Sequence, residues 1–128
     1  MANPQNHDIR SNRLGDMVTH MSFTATGTNA AQTLTTGKTI VLSATTSGTG
    51  VLTVVLKERW NTFANHIGKV QQASYAAGGA VNIELTDQSA TATTATLVFQ
   101  ITQSTGAAVA LASGDIVRIS LFMSYVKA

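Results

Sequence analysis

Six carboxylates, three histidines and no cysteine are what this 128-residue chain offers for acid–base, metal or thiol chemistry. Glycoside cleavage needs two carboxyl groups flanking a cleft. Of Asp8, Asp16, Glu58, Glu84, Asp87 and Asp115, only Glu84 and Asp87 lie close together, at the end of an apolar alternation. That pair is expected to be a solvated strand end, with at most weak affinity for a cation. A zinc site needs three or four convergent ligands, and His7, His20 and His66 share no ligand spacing. No serine stands in a G-x-S-x-G turn. The stretch "TTGKT" at residues 35–39 resembles the end of a phosphate-binding loop, but Gln32 occupies the position of the first required glycine. No buried strand is expected before it and no helix after it, so it reads as a turn. Lys57, Arg59 and Lys69 surround Trp60 and Phe63. Cations among aromatics can hold single-stranded nucleic acid. Glu58 interrupts this patch, however, and a net charge of +2 is small for tracking phosphates. The residues therefore predict no enzyme, no metal or cofactor, and no nucleic-acid or small-molecule partner.

Charged residues make up only 11% of the chain, against about 25% in ordinary globular domains. Thr and Ala fill the gap, at 38 of 128 residues (20 and 18). Disorder is not implied, because disordered chains combine high charge with few aliphatics, and apolar patterning here is clear. The length suits one domain with its own core, and the lack of cysteine excludes a disulfide framework. No apolar run approaches the ~20 residues of a spanning helix. The N-terminal residues lack the apolar core of a secretory signal. Use without a membrane and without general export is the expectation.

The elements that must position these residues are strands. Val117, Ile119, Leu121, Met123 and Tyr125 alternate with Arg118, Ser120 and Ser124, the period of a half-buried strand. Ile116, Phe122 and Val126 on the other face suggest that it too is partly covered. The same period runs through Leu97, Phe99 and Ile101, through Val81, Ile83 and Leu85, and through Leu52, Val54 and Leu56. Met17, Met21 and Phe23 mark a first strand, and Ile40 and Leu42 a short one after Gly37. Turn clusters such as "TSGTG", "AAGG", "QSTGA" and "ASGD" separate them. The pattern predicts an all-β domain over residues 16–128, an antiparallel β-sandwich of jelly-roll-like kind. Trp60, Phe63, Ala64 and Ile67 have helical spacing among modest helix formers, so residues 61–72 are expected to be a short helix or a structured loop. Residues 1–15 are polar and aperiodic, with the only proline at Pro4. They are expected to form an extended arm lying on another chain. The alternative is an arm that folds back as an edge strand of its own domain.

A strand-rich domain faced with Thr, Ser, Gln and Ala loses little when its surface is dehydrated, whereas burying Lys or Glu unpaired is expensive. Such a surface suits contact with copies of itself or with a lattice. The Ala/Thr/Gly-rich strands, the Gly-rich turns and the ending "ALASGDIVRISLFMSYVKA" resemble small structural proteins of tailed bacteriophages, most nearly capsid decoration (cement) proteins. The resemblance implies a virion protein, often a homotrimer, assembled in the host cytoplasm. It would sit on the outer capsid and bridge major capsid protein subunits. It carries over no functional residue. The candidate protein–protein interface comes from the residues: Arg10 and Arg13 in the arm, and Trp60, Phe63 and Ile67 beyond a strand end. Two other readings remain, a tail, neck or fibre-attachment part and a carbohydrate-binding sandwich stacking sugars on Trp60, Phe63 and Tyr75.

Overall fold

The computed structural model describes residues 9–10, 16–27, 29–58, 62–91 and 93–124. Among them there are ten strands and no helix: β1 (Ile9–Arg10), β2 (Asp16–Thr24), β3 (Ala30–Gln32), β4 (Leu34–Thr36), β5 (Val41–Thr46), β6 (Val51–Leu56), β7 (Thr62–Gln71), β8 (Asn82–Ala90), β9 (Ala95–Thr102) and β10 (Ile116–Ser124). Every pairing between them is antiparallel.

The strands follow the order β1-β2-β10-β7-β8-β9-β6-β5-β3, and β4 pairs back onto β2. Because β3 and β4 are separated only by Thr33, the two ends of this order are joined by one bent segment. The result is a single, nearly closed, barrel-like sheet. The expected all-β antiparallel class is what forms. The hydrogen bonds run through one curved, ten-stranded sheet. β7, β8 and β9 follow one another as neighbours, and β10 returns by a long connection to lie beside β7, which is the Greek-key order. That connection places Leu111 in the core, with Val109 packed against it.

The inward rows are the apolar alternations of the sequence. β10 contributes Val117, Ile119, Leu121 and Met123, β6 Leu52, Val54 and Leu56, and β9 Leu97, Phe99 and Ile101, all buried. β2 adds Met17, Met21 and Phe23 together with Thr19, a fully buried hydroxyl. Filling one interior from every strand explains why a period of two recurs so faithfully.

Two expectations are corrected. Residues 62–71 are strand β7, neither helix nor loop, paired with β10 along its whole length. The reason is that β10 has apolar side chains directed inward and an edge to satisfy once β2 is in place. Gly68, a poor helix residue, suits the inside of this strand. A methyl group there would stand 3.1 Å from Ile83 Cδ1 and 3.3 Å from Ile119 Cγ1, so only glycine leaves the neighbours undisturbed. Second, the short strand expected after Gly37 forms as β5, but Ile40 and Leu42 do not share a face in it. The β5–β6 register shifts between Val41 and Ser43, so Val41 is buried while Leu42 is 57% exposed. A bulge at this point turns the leucine outward. Of the expected arm, Ile9 and Arg10 are described, and they pair with Val18 and Met17 of the chain's own β2. For these two residues the fold-back geometry holds; residues 1–8 and 11–15 lie outside the described residues.

Candidate interaction surfaces

Two outward faces follow from the registers. On the first, β2, β10 and β7 set His20, Ser120 and Ile67 in one row and Ser22, Arg118 and Lys69 in the next. Ile67 is 64% exposed. The cations beside it are engaged with neutral oxygens: Arg118 Nη1 donates to Gln71 Oε1 at 2.8 Å and Lys69 Nζ to Asn82 Oδ1 at 2.8 Å.

The second face is built from β5, β6 and β9, whose sequences "VLSATT", "VLTVVL" and "ATLVFQIT" contain no charged residue. Outward from β6 stand Val51, Thr53 and Val55, opposite Gln100, Val98 and Thr96 of β9, with Ser43 and Thr45 of β5 on the other side. Except for exposed Thr45, these side chains are half-buried in the single chain. Carboxylates appear only at the margin, where Glu84 opposes Gln100 and Asp87 opposes Val98.

The candidate interface residues of the sequence do not form one patch. Ile67 belongs to the first face. Arg10 is in β1 on the far edge of β2. The β7–β10 register shifts between Phe122 and Met123, so position 63 opposes Met123 of the inward row while Ile67 opposes Ser120 of the outward row. Arg13 and Trp60 lie outside the described residues. Tyr75 is 85% exposed in the β7–β8 connection.

The other polar residues have local work. His20 Nδ1 lies 2.7 Å from Ser120 Oγ, a distance a nucleophile–base pair would show. Ser120 sits mid-strand between two paired neighbours, so adjacent backbone N–H groups are committed to the ladder and none is placed as an oxyanion donor. The pair reads as a cross-strand hydrogen bond. His66 Nε2 donates to the Ile83 carbonyl at 2.9 Å, and its ring meets Phe99 edge-on at 5.2 Å. Gln32 is a buried amide: Oε1 accepts from Thr26 N at 3.1 Å, and Nε2 donates to Thr46 Oγ1 at 3.0 Å. Asp115, also buried, accepts from Ala73 N and Ala112 N at 3.0 Å each. Among the described residues, no three His, Asp or Glu converge on a common point.

The uncharged outer rows of β5, β6 and β9 escaped sequence reading as a site. Their composition was visible, but only the register shows that Thr53 stands beside both Thr45 and Val98. No protein-family model, curated protein or solved structure matches the chain.

Proposed function

We propose that this chain is a non-enzymatic structural protein of a virion, a clamp on the outer surface of a phage capsid that bridges major capsid protein subunits. The supporting observation is the outer face of β5, β6 and β9, continuous across three paired strands and free of charge. Interface cores are depleted in charge because a desolvated, unpaired Lys or Glu is costly. Free sheets are usually guarded by such charges against sticking to one another. A Thr/Val face without them suits a protein that works covered. Copies meeting through this face would give the homotrimer, and the remaining surface, with residues 1–15, would contact the shell. A phage tail or neck part would use the same face in the same way and is the second reading.

The test places one charge on the face. Thr53→Lys and Val55→Lys are expected to stay folded by circular dichroism, because both side chains point outward and neither opposes a carboxylate. The unaltered protein is expected to elute as an oligomer with light scattering and to bind emptied capsids, and the variants as monomers that bind at least about tenfold more weakly, a buried unpaired lysine being worth more than 1.4 kcal/mol. A monomeric unaltered protein with no affinity for shells overturns the proposal.

A further inference from the structure

The sheet splits where the chain changes partner. β3 pairs with β5 as far as Gln32↔Ala44, and β4, one residue later, pairs with β2 at Phe23↔Leu34. Among the described residues, β5 therefore has no strand beside residues 41–43 on its β3 side. The split opens a groove of about 320 Å³ lined by Gln32, Leu34, Lys38, Val41, Leu42, Ser43 and Lys57. Buried Leu34 and Val41 and exposed Leu42 make it apolar. Lys38 enters from the β4–β5 turn. Lys57 follows β6, held there by its N–H donating to the Ile40 carbonyl at 2.8 Å. Both lysines are exposed, and among the described residues neither ammonium has a hydrogen-bonding or ionic partner. Among the described residues no carboxylate lines the groove; Glu58 follows Lys57 but is not part of the lining.

The geometry points to a docking groove for an extended, acidic segment of a partner protein, with a Glu or Asp carboxylate between Lys38 and Lys57 and an aliphatic neighbour on Leu42. Charge complementarity selects the acid. A strand-like occupant fits because β5 lacks a neighbour there, the situation in which a peptide adds to a sheet. A bare phosphate fits less well. The turn's N–H groups at Ile40 and Val41 are already spent on the Gly37 carbonyl, at 3.2 and 2.9 Å, so no backbone cradle is left for an anion. The inference goes beyond the clamp reading and rests on it only in taking the partner to be a protein.

The experiment is an NMR titration of the isotope-labelled full chain with the acetylated, amidated pentapeptide of sequence ALEVA, with its ALQVA counterpart, and with inorganic phosphate. ALEVA is expected to give saturable shifts confined to the groove, centred on Lys38, Leu42 and Lys57. ALQVA and a Lys38→Ala/Lys57→Ala variant should each bind about tenfold more weakly, as two exposed ion pairs near the top of their usual range allow. The variant's unchanged spectrum elsewhere establishes that it is folded. Equal binding of ALEVA and ALQVA, shifts away from the groove, no saturation, or phosphate binding more tightly than ALEVA each overturns the inference. Failure of the clamp reading is distinguishable, because it is read from oligomeric state and shell binding of Thr53→Lys, which leaves the groove intact.

Discussion

Asp115 shows how little of this chain's charge is spent on chemistry. One of only six carboxylates, it is buried at the entry to β10. There its oxygens hold the Ala73 and Ala112 N–H groups, and its own carbonyl accepts from Ala25 N at 2.7 Å. It thus ties three connections to the start of the central strand. Asp115→Ala removes both acceptors and is expected to cost about 1–3 kcal/mol in urea unfolding; Asp115→Asn, which keeps one acceptor oxygen, should cost less. Gly50 is constrained in another way. Its φ is +79°, and an added Cβ would lie 2.1 Å from the Val109 carbonyl oxygen. The left-handed backbone alone costs a side-chain-bearing residue about 1–2 kcal/mol, and the clash adds to it. Gly50→Ala should therefore lower the melting temperature by several degrees, whereas Gly106→Ala, with open space around its Cβ, should lose only the backbone contribution.

At the scale of elements, the barrel is unevenly bonded. β10 is paired with both β2 and β7 along its full length. β8 is paired with β9 from Asn82 to Ala90, but with β7 only at Lys69↔Asn82. Beyond that point β7 and β8 diverge, and the His66 side chain reaches the Ile83 carbonyl where a backbone donor would otherwise be. Native-state hydrogen exchange is expected to be slowest in β10, near the global unfolding limit. In the far half of β8, amides directed at β9 should be intermediate and the alternate ones fast. Uniform protection along β8 would mean that the β7–β8 seam is closed in solution.

For the whole molecule, closure depends on the bent segment that joins β5 to β2 through β3 and β4, and β1 adds two residues to the same edge of β2. That addition is small. Removing residues 2–15 is accordingly expected to leave a cooperatively folding barrel, with midpoint and circular dichroism little changed. If residues 1–15 grip a shell, the same truncation weakens binding to emptied capsids; equal binding would assign the grip to the barrel alone.

Much of the fold was legible in the sequence. The alternations at Leu52–Leu56, Leu97–Ile101 and Val117–Met123 each correspond to a buried row, because a side-chain period of two has one meaning once an interior must be filled. The scarcity of charge was also legible, though not which outer face would be free of it. What the sequence left open was set by pairing. Residues 62–71 carry helical spacing, yet became a strand because β10 supplied a long edge, with Gly68 passing close to Ile83 and Ile119. A bulge at Leu42 reversed which neighbours share a face. A one-residue shift moves every later side chain to the opposite side of a sheet, and nothing in the local sequence announces it. For the same reason the Thr/Val face and the Lys38–Lys57 groove were invisible. Both are made of residues from separate strands, and only the register of the closed sheet brings them together.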